Sequence, residues 1–418
     1  KANTAKDLTI EAEEKEQINL AYTTVMADKL DSNSGNGLTV SAEELETQLN
    51  NQNAGAKTQD KENNQIEVTF NKSRNVYTVN GGTGAITGPT NSGGQTPTEP
   101  EDELSTVEES KNKGTIFEEK TKIQDTFGNK VVVPEGFKIA SDSGNNVTEG
   151  VVIEDVSYGE TEGSQFVWIP VGEVKTANET KTIELSRYIF ATDGTPAKQG
   201  ENTINTYYQE LESSSYGNTT AKDIEDFKTK ASVSQSGGYY IGRYEARVAN
   251  KRTAKTTNDA DLEKVTVKED DFVYNYVTQP QAAKLARAMY EGNDKTFTSD
   301  LINSYAWDTA IVYLQEFDNR ETDRTKPYSI QGSLNTGSVA ERGTNNLTDI
   351  NQKDKICNIW DMASNDCEWT TETYTDSSSP CVFRGGDYGA SDHYTSDRNI
   401  YSTTNADEYS SFRLALYL

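Results

Sequence analysis

"NIWDMASNDCEWTTE" (residues 358–372) places Trp360 and Trp369 in a run that is otherwise short and mostly polar. Two indoles are large enough to anchor a core in a chain whose apolar residues make up only 33%. The phrase also holds Cys367, which with Cys357 and Cys381 puts all three cysteines within 25 residues. Their spacings match no CxxC zinc pattern. One disulfide with a spare thiol and three free thiols both remain open.

Toward the C-terminus, Arg384-Gly385-Gly386 and Phe412–Leu418 bracket a selective stretch. Residues 387–411 contain five Ser, four Tyr, four Asp, three Thr and two Asn, but no Lys, Gln, Met, Trp or Pro. Gly385 and Gly386 allow backbone geometry that other residues resist. Arg413 lies in an apolar terminal strand, where an unpaired charge would be costly, so a carboxylate or carbonyl partner is expected. Binding loops favour Tyr, Ser, Gly and Asn, because Tyr supplies wide contact at low entropic cost and small polar residues adapt their hydrogen bonding. The candidate ligand-binding face is therefore Asp387, Tyr388, Ala390, Ser391, Asp392, His393, Tyr394, Ser396, Tyr401, Ser402, Asn405 and Tyr409, with tyrosines as anchors and acids as acceptors. The plainer alternative is a hydrated loop that packs the final strands, which accounts less readily for four tyrosines. His393 is the only histidine, so no Cys/His or Ser/His catalytic pair is expected elsewhere.

Upstream, "KVVVPEGFKIA" (130–140), "GSQFVWIPVGEV" (163–174) and "GGYYIGRYEAR" (237–247) read as strands punctuated by Gly and Pro. "TQPQAAKLARAMY" (278–290) reads as a helix with Pro280 in its first turn. "SDLINSYAWDTAIVYLQEF" (299–317) reads as another, with Ile302, Ala306, Ala310 and Leu314 on one face. Residues 81–114, "GGTGAITGPTNSGGQTPTEPEDELSTVEESKNKG", are too poor in apolar area to offset ordering entropy and read as a flexible acidic linker. Before it, residues 3–30 read as one amphipathic helix, with Leu8, Ala12, Ile18, Ala21, Val25 and Leu30 at roughly helical spacing. Ser41 and Glu44 form a capping box ahead of Leu45 and Leu49. "QIEVTF" and "NVYTVNG" alternate about Asn71–Asn75 as a hairpin.

The expected architecture is α+β. It comprises a helix with a small antiparallel sheet (1–80), a linker (81–114) and one large domain (115–418). With 67 acids against 40 bases the net charge is −27, which repels nucleic acid and anionic membrane surfaces. The polar, loop-rich composition suits an extracellular protein.

Three resemblances sharpen this. "FVWIPVGEV", "GGYYIGRYEAR", "INSYAWDTAIVYL", "NIWDMASNDCEWTTE" and "FRGGDYG…SSFRLALYL" follow the order of the sulfatase-modifying factor family, which includes the formylglycine-generating enzyme. That resemblance implies an elaborated C-type-lectin fold for 115–418. The family enzyme holds copper with two cysteines after Arg-Gly-Gly. Their places here fall near Ala390 and Thr395, which supply no thiolate, so the chain is not expected to be an enzyme. The family also binds calcium near the Asn-Trp-Asp-Met loop, where Asp361, Asn365, Asp366 and Glu368 offer hard oxygens. Those residues could instead cap turns, and Ser364 and Cys367 depart from the family pattern. No other cofactor is implied.

The terminal block also resembles the variable proteins of diversity-generating retroelements. Those systems randomise adenines, so that Asn codons become Tyr, Asp, His, Ser, Thr, Ile, Ala or Gly, and residues 387–409 draw mostly on that set. "KANTAKDLTIEAEEKEQINLAY" resembles the solvent-side half of a type IV pilin helix from Gram-positive, clostridia-like bacteria. The matching hydrophobic half would lie upstream of Lys1 and would be the only route to a membrane. Together these imply a pilin-like cell-surface subunit that contacts other pilin subunits through its helix. Its head would be non-catalytic and possess a hypervariable face for a protein or glycan on another cell, a phage or a host. A structural pseudopilin whose head binds nothing, and a divergent enzyme of the formylglycine-generating type, are the alternatives.

Overall fold

A computed structural model describes residues 5–32, 38–52, 54–71, 73, 75–90, 104–198, 207–211, 221–292, 295–320, 326–332, 354–390 and 392–418. The chain is α+β and divides into two compact units, Lys1–Glu101 and Asp102–Leu418. Among the described residues no helix is long and apolar enough to cross a membrane.

In the first unit the helix Ala5–Ser32 and the capped helix Ala42–Asn51 accompany a four-stranded antiparallel sheet. The capping box is present: the Ser41 hydroxyl accepts from the Glu44 N–H, and the Glu44 carboxylate accepts from the Ser41 N–H at 2.9 Å. Leu45 and Leu49 are fully buried. The hairpin pairs Gln65–Phe70 with Val76–Asn80, setting Val68 against Tyr77. The buried stripe of the long helix differs from the expected one. Ile18 and Ala21 are buried, but Ala12 is exposed and Leu30 is 64% exposed, while Leu8 has no described side chain. Glu14 takes the inward place, accepting from the Tyr77 hydroxyl at 2.8 Å and Asn75 Nδ2 at 2.7 Å. A carboxylate can be buried there because two donors meet it.

The expected linker is structured at both ends. Ile86–Thr90 adds the fourth strand to the small sheet. Val107–Lys113 is a helix of the second unit, capped by Thr106 and Glu109, with Val107 fully buried and Gly114 closing it at φ +62°. Thr-x-x-Glu before Val107 is a helix start whose signal is masked by the acidic, Pro-rich residues preceding it. The intervening 91–103 lie outside the described residues.

The second unit is built on a six-stranded antiparallel sheet. Its order is Thr298–Leu301, Leu414–Tyr417, Gly238–Gly242, Gln165–Pro170, Val152–Asp155 and Phe137–Ile139. Central strands buried on both faces read as continuous apolar runs, as in Tyr239-Tyr240-Ile241. The helix Gln279–Ala288 starts at Thr278 with a capping box and Pro280 in its first turn. The next helix begins at Ser304, five residues later than the expected start. Asn303 caps it, accepting from the Ala306 N–H at 2.9 Å, and Thr298–Leu301 is drawn into the sheet by Leu414–Tyr417. Ile302 is buried outside the helix, whereas Ala306, Ala310 and Leu314 are buried within it.

Candidate functional site

A second sheet carries the C-terminal block. Cys367–Tyr374, Cys381–Arg384 and Arg398–Tyr401 lie side by side and antiparallel, and Ser410–Phe412 runs parallel to Cys367–Trp369. The polar stretch 387–411 is therefore not one loop. Arg398–Tyr401 is a strand, with Arg398 opposite Arg384 and Tyr401 opposite Cys381. It separates a first loop, 385–397, from a second, 402–409.

Buried charge holds the first loop at its base. Arg384 donates from Nη2 to Asp308 Oδ1 at 2.7 Å, and Arg398 donates to Asp308 Oδ2 at 2.6 Å and to Glu372 Oε1 at 2.9 Å. Arg187 also bonds Glu372. Burial alone would raise the Glu372 carboxyl, but the guanidiniums of Arg398, Arg187 and Arg384 outweigh it and hold the group well below the ordinary carboxylate range. Arg384 then reaches the loop itself, donating to the carbonyls of Asp397 at 2.8 Å and Ser396 at 3.2 Å. Trp307 Nε1 donates to the Thr395 carbonyl at 3.0 Å. At the far end Arg413 finds both expected kinds of partner. It donates to Glu368 at 2.9 Å and to the carbonyls of Gly242 and Trp360 at 2.8 Å each.

Of the candidate face, Tyr394, Tyr401 and Tyr409 are 40, 42 and 36% exposed, and Asp392 is exposed. Tyr388, Ala390, His393, Ser396, Ser402 and Asn405 are half-buried, Asp387 is buried, and Ser391 lies outside the described residues. The two loops meet where the Tyr388 and Tyr409 rings pack at 4.8 Å. A side chain at Gly389 would come within 2.6 Å of the Tyr409 ring, so glycine permits that approach. Tyr401 stacks on Phe383 at 4.9 Å and 19°.

Sequence reading missed one neighbour. Tyr276 is half-buried with φ +51°, an uncommon backbone state for an aromatic residue, and its N–H donates to the Asp407 carbonyl at 2.9 Å. Burial and then Glu408, Asp407 and Asp366 push its phenol up. No local pattern marks Tyr276, because the second loop reaches it across more than a hundred residues.

Ala390 is half-buried and Thr395 fully buried, and neither offers a thiolate, so the copper pair does not fit. Glu368 has both oxygens accepting from Arg413, while Asn365 Nδ2 and the Asp366 N–H donate to Glu245. Asn365 and Asp366 thus tie the motif loop to Glu245, in the bend between Gly242 and Arg247. The three cysteines are free and buried, and burial pushes the Cys357 and Cys381 thiols up to about 12. Cys367 does acquire polar company. Its Sγ lies 3.5 Å from Asp387 Oδ2, which is 3.0 Å from Nδ1 of His393.

No protein-family model matches the chain, and no curated protein matches it. Among solved structures it is similar to Treponema denticola variable protein 1, at 11% identity and TM-score 0.30, over 62% of this chain and 97% of that one. It is likewise similar to PvdO from Pseudomonas aeruginosa, at 12% identity and TM-score 0.31, over 61% of this chain and 95% of that one. A third, CarF, has 18% identity and TM-score 0.20, over 31% and 50% respectively. Likenesses this slight leave function to be argued from the chain's own residues.

Proposed function

We propose that the second unit is a non-catalytic binding head, and that its two terminal loops recognise a protein or glycan on another cell, phage or host surface. The observation that carries this is the pairing of exposed tyrosines with a buried charged frame. Tyr394, Tyr401 and Tyr409 present aromatic area to solvent, while Arg384 and Arg413, both fully buried, hold the segments on either side. Rigid support lowers the entropy lost on binding, so such a surface can use its aromatic area efficiently. The first unit, a 28-residue helix with a small antiparallel sheet, fits a pilin-like subunit that assembles with other pilins at the cell surface.

The test is a screen of immobilised glycans and surface proteins with the full chain, followed by Tyr394→Ala and Tyr409→Ala on whatever binds. Each variant is expected to weaken binding by about 1–3 kcal/mol with its unfolding transition unchanged. Equal affinity in both folded variants removes these loops as the binding face, and a head that binds nothing favours a structural pseudopilin.

The composition of 387–409 also favours diversification by a retroelement. The native locus is then expected to carry a near-copy of its 3′ end that differs mainly at adenines, beside a reverse transcriptase gene. A terminus invariant among isolates, with no second copy, would leave one fixed site and no diversification.

A further inference from the structure

We propose that Cys367, Asp387 and His393 form a zinc site that fastens the first loop to the strand beneath it. This goes beyond the recognition reading and concerns the loop as this chain carries it, since Asp387 and His393 lie in the stretch proposed to vary. The ligand atoms of these three residues all lie within 4.8 Å of one another, the only such group of three or more His, Cys, Asp or Glu among the described residues. Zinc bonds of about 2.0–2.3 Å at tetrahedral angles place ligand atoms roughly 3.3–3.8 Å apart. The Sγ to Oδ2 separation of 3.5 Å falls in that range, and the 3.0 Å from Oδ2 to Nδ1 needs only a small opening.

The fold brings the three together from separate places. Cys367 begins a strand, and its N–H donates to the Tyr409 carbonyl at 2.8 Å. Gly385 turns the chain back over that strand at φ +79°, where an added Cβ would meet the Met362 carbonyl oxygen at 2.6 Å. Asp387 follows, with its outer-shell geometry already set, since Oδ1 accepts from the Gly389 N–H at 2.7 Å and Oδ2 faces the sulfur and the imidazole. His393 completes the group from the solvent side, its side chain 32% exposed, which gives an ion a way in and leaves room for water as a fourth ligand.

Donor chemistry selects the ion. Thiolate and imidazole are borderline-soft ligands that suit zinc and disfavour calcium or magnesium. On binding, the thiol proton leaves to solvent, and thiolate plus carboxylate neutralise the dication.

The test uses the full chain stripped of metal by a chelator and titrated with cobalt(II). One equivalent is expected to bind with a thiolate-to-cobalt charge-transfer band, and zinc should displace it. Cys367→Ser should abolish the band, and competition against a chromophoric chelator should give more than about a 100-fold loss of zinc affinity, since loss of even an outer-shell partner costs about 10–100-fold. His393→Gln, at a partly exposed position, should also lose the band. Cys357→Ser and Cys381→Ser should keep it. A folded chain with no band overturns the proposal, and so does a band that survives either Cys367→Ser or His393→Gln.

Discussion

Replacing Arg384 with methionine is expected to lower the stability of the second unit by about 3–5 kcal/mol, read as a fall in the urea midpoint at unchanged slope. The size follows from what is left behind. Asp308 and Glu372 are both fully buried, and Arg384 reaches each of them, at 2.7 Å and 3.5 Å. Methionine fills similar volume but leaves the network one positive charge short in a site that water does not reach. Domains of this kind hold only about 5–15 kcal/mol in total, so the loss is a large fraction. Lys284→Ala makes the contrast. It breaks an ion pair of 3.3 Å whose partners are 58% and 48% exposed, and such pairs are worth roughly 0–1 kcal/mol.

The same network predicts a pH dependence. Glu372 is held below its ordinary value in the folded state, so the unfolded chain binds its proton first as pH falls. Its contribution is therefore fully present above the unfolded value of about 4.5 and is lost as pH drops below that toward the folded value. The Arg384→Met variant should show a shallower loss over this acid range than the parent. An equal slope in both would mean that Arg384 does not help to hold the Glu372 charge.

What could be read from sequence was what local chemistry encodes. Ser41 with Glu44, and Pro280 in a first turn, announce helix starts because these signals lie within one turn of the orphan N–H groups. The alternation around Asn71–Asn75 announces a hairpin for the same reason. Arg413 announced a partner, though not Glu368, because desolvation cost depends on burial alone. The failures needed distant partners. Ile302 sits on a helical pattern, yet Leu414–Tyr417 takes the preceding residues into a sheet. Glu14 looks like a surface acid until Tyr77 and Asn75 arrive from the sheet. The terminal stretch read as one loop because Arg398 disguises a strand, its charge being matched by Asp308 and Glu372. At the candidate site the tyrosines were legible from composition. The approach of Cys367 to Asp387 and His393 was not, because it depends on the turn at Gly385 and on strand pairing.

Gly150→Ala is expected to cost about 3–5 kcal/mol, the sum of a strained backbone and an overpacked contact. Gly150 has φ +86°, and an added Cβ would lie 1.8 Å from the carbonyl oxygen of Cys357. That oxygen cannot step aside easily. Ile356 and Ile359 pair across a two-residue turn in which Cys357 and Asn358 both have positive φ, at +45° and +62°, the arrangement of a tight hairpin. Asn358 Nδ2 then donates to the Gly150 carbonyl at 2.8 Å, and Cys357 Sγ to the Thr148 carbonyl at 3.3 Å. Two backbones are locked face to face at this point, immediately before Trp360. Gly128→Ala separates the two causes, because Gly128 has φ +79° with nothing within 4 Å of the added Cβ. It should cost only about 1 kcal/mol, the dihedral penalty alone. If urea midpoints fall equally for both variants, the close approach at Gly150 relaxes without cost, and the turn at Cys357-Asn358 is far more pliable than its hydrogen bonds imply.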